Sequence, residues 1–283
     1  VKMAVELFVP AKVNLTLHVT GRREDGYHEL DSLVVFADIG DRVRISPADE
    51  TTLSLTGPMA EGVPTGRDNL VWRAAELFGA TATMELEKNL PPAAGIGGGS
   101  GDAAATLRAL SELTGKPVPA PEALLELGAD VPVCMTRGPA RMRGVGERVD
   151  LLPDLPEIHA VLVNPDLPVL TRQVFAGLTR SDNPPMPDAL PELPDSAALV
   201  AWLSEMRNDL EAPALEVAPV IGQVFATLRA TPGCLLARMS GSGATCFGIY
   251  NDAETAASAQ GRLTEQNPGW WVHAVRLNPA TPG

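Results

Sequence analysis

Pro92, Ala93, Ala94, Gly95, Ile96, Gly97, Gly98, Gly99, Ser100, Gly101 and Asp102 form the segment with the most chemistry in it, because five glycines leave its backbone bare. A bare backbone can approach an anion and adopt φ > 0. Where such a loop opens a helix, the unpaired first-turn N–H groups and the positive end of the helix dipole face the loop and suit a di- or triphosphate. A tight glycine turn with no ligand is the alternative. Two well-known phosphate fingerprints fail here. No Lys-Ser or Lys-Thr follows the glycines, and a GxGxxG frame begun at Gly95 meets Ser100 where its last glycine belongs.

Without a P-loop lysine, the charge facing a nucleotide must come from elsewhere in the chain or from a metal ion. Lys12 is the first candidate. In a strand over Lys12 to Thr20, a period of two places Lys12, Asn14, Thr16 and His18 on one face and Val13, Leu15, Leu17 and Val19 on the other. Such a polar face ordinarily meets water; lining a wet cleft is the alternative, with the ammonium a point charge for phosphate or a reacting oxygen. Asp130 follows Gly128-Ala129 and reads either as a turn or cap residue or as a proton acceptor. Tyr27 stands between Gly26 and His28, placed to anchor the loop or to stack on a ligand ring.

The elements that must position these residues follow from the pattern. Val5–Val9, Lys12–Thr20, Leu30–Ala37, Arg42–Ser46 and Thr52–Thr56 are short β-rich runs between Gly, Pro or Asp turns and suggest a meander. Helical spacing begins at Asn69–Gly79, a strand follows at Thr83–Glu87, and a helix from about Gly101 to Leu113 comes after the glycines. So the glycine loop joins a strand to a helix. A short helix at Glu122–Leu127 precedes Asp130, and Arg141, Arg143 and Arg148 read as a solvated strand face. Ile158–Asn164 is a buried-type strand, and the Pro-rich Ser181–Asp195 is a surface connection. Val217, Val220, Ile221, Val224 and Leu228 share one helical stripe with Pro219 in its first turn. Strands at Cys234–Met239, Ala244–Tyr250 and Trp270–Val275 flank a helix at Ala253–Leu263, making a second α+β unit with a boundary near 150–160.

With 283 residues, 45% of them apolar, the chain can bury a substantial core in one large or two modest domains. Its net charge of −13 disfavours nucleic acid or a membrane surface as partner, so a phosphate ligand must be held locally. No apolar run reaches the roughly 18–20 residues that span a bilayer, and Glu6 interrupts the start where a signal peptide needs an apolar block, so a cytoplasmic protein is expected. Cys134, Cys234 and Cys246 read as buried free thiols, and the scattered histidines give no zinc spacing.

In order along the chain, Pro10-Ala11-Lys12-Val13-Asn14-Leu15, Arg23-Glu24-Asp25-Gly26-Tyr27-His28-Glu29-Leu30, the glycine loop and Leu127-Gly128-Ala129-Asp130-Val131-Pro132 resemble one family. They are similar to the galactokinase, homoserine kinase, mevalonate kinase and phosphomevalonate kinase (GHMP) superfamily, in its branch acting on 4-diphosphocytidyl-2-C-methyl-D-erythritol. Arg143–Glu147 and Ser240-Gly241-Ser242-Gly243 extend the resemblance over nearly the whole chain. It implies a two-domain α+β GHMP-kinase-like architecture with its active site in the interdomain cleft, an ATP-binding domain at 1–155 and a C-terminal α+β domain at 156–283. It further implies ATP as co-substrate, Mg2+ on the phosphates, Lys12 and Asp130 as catalytic residues, and Pro92 to Asp102 as the ATP-phosphate loop. Asn14, Tyr27 and His28, with Thr171 and Phe175 on the far side, would surround the small-molecule substrate. The implied reaction moves the γ-phosphoryl group to the substrate's 2-hydroxyl in the non-mevalonate route to isoprenoid precursors, in a cytoplasmic monomer or homodimer.

One departure stands out: where the family commonly has two serines after the glycines, this chain reads Ser100-Gly101, leaving Ser100 as the loop's one hydroxyl for phosphate or metal. The rival readings are another GHMP small-molecule kinase, of mevalonate, homoserine or sugar type, and a nucleotide-binding sensor without catalysis. An NAD oxidoreductase already fails on the fingerprint.

Overall fold

The computed structural model describes residues 3–153 and 155–279. In chain order the elements begin with β1 (Val5–Asn14), β2 (His18–Arg22), β3 (His28–Pro47), β4 (Thr52–Thr56), α1 (Leu70–Phe78), β5 (Ala82–Glu87) and α2 (Gly98–Thr114). Next come α3 (Pro121–Leu124), α4 (Val131–Cys134), β6 (Ala140–Gly144), β7 (Arg148–Leu151), β8 (Ile158–Asn164), α5 (Thr171–Ala176), α6 (Ser196–Glu205) and α7 (Glu211–Val217). The last are α8 (Val220–Ala230), β9 (Leu236–Met239), β10 (Cys246–Tyr250), α9 (Ala253–Gln266) and β11 (Trp271–Leu277). The fold class is α+β, as expected.

The residues sort into two compact units, each assembled from separated segments: Val1–Lys12, Ile39–Pro92 and Gly97–Arg137 in the first, Val13–Asp38, Ala93–Ile96 and Gly138–Gly283 in the second. In the first unit β4 runs parallel to β5, and β5 pairs antiparallel with the end of β3, Arg42 opposite Glu87. Alternation along β5 sends Ala82, Met84 and Leu86 inward. There they meet Val5 and Val9 of β1, Val43 and Ile45 of β3, Val71 and Ala75 of α1, and Ala105, Ala109 and Leu110 of α2. Full burial of each aliphatic side chain contributes about 1.5–3 kcal/mol, so this layer fixes α2, and with it the loop that enters α2. Helix α1 is closed at both ends: Asn69 Oδ1 accepts the Val71 amide, and Gly79 caps in the left-handed region.

The second unit carries the antiparallel run β11, β8, β10, β9, with Ile249 opposite both Ala160 and Leu236. Ile221, Val224, Phe225 and Leu228 of α8 and Ala256, Ala259 and Leu263 of α9 pack into one core with Val161, Val163 and Cys246. Tyr250 is buried in that core and its hydroxyl meets Thr231 Oγ1 at 2.7 Å.

Several elements differ from the sequence expectation. The two runs at 30–37 and 42–46 are one strand, β3, because Gly40 is a crossing point rather than a turn. A Cβ on Gly40 would lie 2.0 Å from the Val9 carbonyl oxygen, so only glycine lets β1 come that close. The run 12–20 divides instead: at Leu17 the backbone leaves its ladder, donating to the Arg207 carbonyl and accepting from the Asp209 amide. Its supposedly polar face is buried throughout, with Lys12, Asn14, Thr16 and His18 all at 2% exposure or less. Arg141 is likewise buried, not solvated: it is bidentate to Asp31 at 2.8 and 2.7 Å and donates to the carbonyls of Met186, Pro187 and Asp188. The stripe at 217–228 belongs to two helices, since Ala218 leaves helical geometry and Pro219 opens α8. No described helix is long and apolar enough to cross a membrane.

Candidate functional site

In the first unit, Lys12 lies in β1 with its side chain 2% exposed, and its Nζ meets Asp130 Oδ2 at 2.9 Å. Asp130 occupies the position before α4, but its side chain makes no cap hydrogen bond, so the carboxylate is directed to the ammonium rather than to its own helix. That carboxylate keeps a third of its surface exposed. Pro132 in the first turn of α4 presets the chain to leave Asp130 at a helix start. The outgoing leg of the glycine loop lies on this pair: a Cβ on Gly97 would be 3.1 Å from both Cβ and Cε of Lys12. Gly97 precedes α2 with φ 67° and offers no side-chain cap, which leaves the first-turn amides of α2 for another acceptor.

Helix α2 thus begins at Gly98, not Gly101, and three glycines make its first turn. Their low intrinsic propensity hid this, and tertiary packing of the helix overrides it. The place of Ser100 and Gly101 also becomes clear. A Cβ on Gly128 would lie 3.7 Å from Ser100 Oγ, so that hydroxyl faces the turn that carries Asp130. A Cβ on Gly101 would instead lie 2.8 Å from Val9 Cγ1. Position 101 faces β1, and a side chain there crowds the strand. Cys134 Sγ is buried beside Gly97, and burial pushes its thiol up to about 12, so it stays a protonated, inert group.

Residues 93–96 belong to the second unit, where Ala94 accepts the Thr245 amide at 3.1 Å and Gly95 accepts the Ser240 hydroxyl at 3.0 Å. A Cβ on Gly95, whose φ is 76°, would fall 2.5 Å from the Ser240 carbonyl oxygen and 2.8 Å from that of Gly243. Two glycine-rich backbones therefore lie against each other with no side chain between them. Asn14 joins the same group: its amide donates to Ser240 Oγ at 3.0 Å and its Nδ2 to Ser32 Oγ at 2.8 Å. Thr171 Oγ1 meets Ser242 Oγ at 2.9 Å. His28 stacks on Phe175, centroids 5.0 Å apart, and burial followed by the charge of Arg22 lowers the imidazole's pKa, favouring the neutral ring. Tyr27 is 63% exposed, while its backbone is held in the turn by Asp25 Oδ1 and the Arg23 amide.

The structure thus brings Lys12, Asp130, Ser100 and the leg 97–102 together in one unit, and Asn14, Thr171, residues 93–96 and the His28–Phe175 pair into the other. Sequence reading took Ser240 and Ser242 only as part of the resemblance and gave no site role to these two residues, which organise the second group; it passed over Lys88 and Asp41, which lie behind the loop in the first. The signal for Lys88 was a lone cation ending an inward-alternating strand just before the glycines.

Among the described residues no group of three or more His, Cys, Asp or Glu side chains could hold a metal ion. The Ser100 hydroxyl and the part-exposed Asp130 carboxylate are hard oxygen donors of the type magnesium takes when phosphates supply its other ligands.

Comparison with known proteins adds the following. Residues 69–139 match the GHMP kinases N terminal domain family, and residues 189–269 match GHMP kinases C terminal. The chain is 58% identical over 271 residues to the 4-diphosphocytidyl-2-C-methyl-D-erythritol kinase of Paracoccus denitrificans, covering 96% of both chains. It is 55% identical over 274 residues to the same-named kinase of Cereibacter sphaeroides, covering 96% of this chain and 99% of that one. A crystal structure of 4-(cytidine 5'-diphospho)-2C-methyl-D-erythritol kinase superposes with a TM-score of 0.77 at 36% identity, covering 98% of this chain and all of the other.

Proposed function

The chain belongs to the 4-diphosphocytidyl-2-C-methyl-D-erythritol kinases of the GHMP superfamily, and from that membership we infer that it transfers the γ-phosphoryl group of ATP to the 2-hydroxyl of 4-diphosphocytidyl-2-C-methyl-D-erythritol. It is a small-molecule kinase. The observation that carries the residue roles is the Lys12–Asp130 pair: a buried ammonium against a carboxylate that remains reachable from solvent.

Phosphoryl transfer needs positioning and charge neutralisation more than covalent help. In this reading the Asp130 carboxylate accepts the hydroxyl proton as the oxygen attacks, and Lys12 holds that carboxylate in place while offsetting charge on the transferring group. The open first-turn amides of α2 and the rest of Pro92 to Asp102 take the ATP phosphates. The Ser100 hydroxyl is the loop oxygen that would hold a magnesium ion arriving with the nucleotide, which would supply positive charge to the phosphates. Asn14, Tyr27, His28, Thr171 and Phe175 receive the cytidyl and erythritol parts, the His28–Phe175 pair offering an aromatic surface to a base. Residues 1–155 then supply the nucleotide loop and both catalytic groups, with 156–283 completing the substrate side. The net charge of −13 is no obstacle, because these contacts act inside the roughly 8 Å screening length of cell-like salt. We assign the reaction to the cytoplasm, whose reducing conditions suit three free cysteines.

A coupled ADP-release assay offering the cytidine substrate beside mevalonate, homoserine and galactose tests the assignment. Turnover on the cytidine substrate alone is expected. Faster turnover on any of the other three replaces this reading with that of another GHMP kinase.

A further inference from the structure

Behind the glycine loop, both of its legs end on one buried ionic cluster. Asp41 of β3 is fully buried, and its Oδ1 accepts the amides of Asn89 at 2.6 Å and Leu90 at 2.9 Å, the last residues before the incoming leg. Its Oδ2 takes the ammonium of Lys88. Lys88 Nζ also donates to Asp102 Oδ2 at 2.9 Å, and Asp102 stands in α2, on the outgoing leg. The backbone between rests on the same group: a Cβ on Gly98 would be 3.4 Å from Lys88 Nζ and 3.6 Å from Asp41 Oδ2.

This is a demanding way to join a strand to a helix. Asp102 Oδ1 is buried without a hydrogen-bond partner among the described residues. Burial pushes the Asp102 carboxyl up, to about 7, against the pull of Lys88. Burial works to lower the Lys88 pKa too, but the carboxylates of Asp102 and Asp41 outweigh it and hold the ammonium charged. Well-packed apolar residues of similar volume would hold the elements together as firmly or more so. What they would not do is fix hydrogen-bonded register at two backbone sites and a helix turn at once.

We propose that Asp41, Lys88 and Asp102 are positioning residues that clamp both legs of the phosphate loop, setting the first-turn amides of α2 in register for nucleotide phosphates. The proposal rests on the reading above that this loop receives the nucleotide. It assigns the three side chains no contact with substrate: that of Asp102 is buried on Lys88, whatever its backbone offers the phosphates. Their effect passes through the Asn89–Leu90 backbone and through Gly98.

The test separates holding the fold from holding the nucleotide. In Lys88→Met two buried carboxylates lose their cation, so both the melting temperature and the nucleotide affinity should fall. In the triple variant Lys88→Met, Asp41→Asn, Asp102→Asn the buried charges are gone, so thermal stability should recover. Affinity for the magnesium complex of the β,γ-imido analogue of ATP, measured by calorimetry on the full chain, should remain about tenfold or more below wild type, since misplaced binding groups are not restored by restored folding. KM for ATP should rise with it, while KM for the cytidine substrate and kcat at saturating ATP stay within about threefold. A triple variant that folds stably and binds the analogue like wild type overturns the proposal, leaving the cluster a stability element only. If Lys88→Met does not fold, the triple variant decides alone; if neither folds, Asp102→Asn with Lys88→Arg, which keeps a cation and an oxygen acceptor, must weaken the analogue's binding or the proposal falls. A wild-type chain that binds no analogue overturns the nucleotide reading and this proposal together, whereas equal binding by wild type and variants overturns this proposal alone.

Discussion

Two lysines lie against the same glycine loop, both almost wholly buried and both facing carboxylates, yet their surroundings differ in one decisive respect. Lys12 faces Asp130, whose side chain is 33% exposed. Lys88 faces Asp41 and Asp102, which are 0% and 3% exposed. A sealed cluster can only hold backbone in place, because no substrate oxygen can reach it. An ion pair with one open oxygen can hold its carboxylate still and also take a proton from a bound alcohol. Burial of the cation therefore does not distinguish the pair proposed to be catalytic from the sealed cluster; the exposure of its partner does.

That contrast breaks most sharply at Asp130. Asp130→Asn should lower kcat by about 10²–10⁴-fold with little change in melting temperature or in KM for ATP, and steady-state kinetics beside a thermal melt will check it. Near-normal turnover would remove the base role. Asp41→Ala should act in the opposite sense, reducing unfolding free energy by about 3–5 kcal/mol in urea titration, because Lys88 and two backbone amides lose a buried partner. If its stability matched wild type, the cluster would not be the anchor its geometry suggests. A smaller effect sharpens the comparison at the loop itself. Gly101→Ser should be destabilising by about 1–3 kcal/mol through the clash with Val9, and adding Val9→Ala should recover most of that loss. A serine that raised activity without loss of stability would show a hydroxyl reaching the phosphates from position 101 after all.

The smallest effect is a pH dependence outside the loop. Burial, then Arg207, lowers the pKa of His18 below its ordinary 6.5, against the opposing pull of Asp209 and Asp31. The unfolded chain therefore binds this proton more readily than the folded one. The stability due to neutral His18 is fully present above pH 6.5 and is lost as pH falls from there through the lowered folded value. Urea midpoints between pH 7.5 and 5.5, read as about half-unit steps, should decline in wild type and decline less in His18→Asn. Equal slopes would mean that His18 contributes nothing to it.

Much of the scaffold was legible from local pattern. The strand at Ile158–Asn164 and the one at Thr52–Thr56 have the expected bounds, and the spacing from Asn69 to Gly79 marks both caps of α1. Elements whose form depends on distant partners were not legible. Gly40 looks like a turn residue until Val9 passes beside it, and α6 stays hidden because its Asp195 cap closes a proline-rich run that reads as loop. In the candidate site, motif order pointed to Lys12, Asp130 and the glycine loop, but the period-two face of 12–18 could not say whether it met water. The partners Asp31, Arg141, Asp41 and Lys88 each look like ordinary surface charges in sequence. Only long-range pairing, across 110 residues for Arg141 and Asp31, makes them interior.

The abutting backbones at Gly95 and Ser240–Gly243 have a consequence for how tolerance to mutation should be interpreted. Any side chain at 95 must push main chain aside, so a saturation scan scored by growth will find that position as unforgiving as 130. One intolerance would come from crowding and the other from lost proton transfer. Scoring protein abundance alongside growth separates them, since the cell should accumulate Asp130→Asn and discard Gly95→Val.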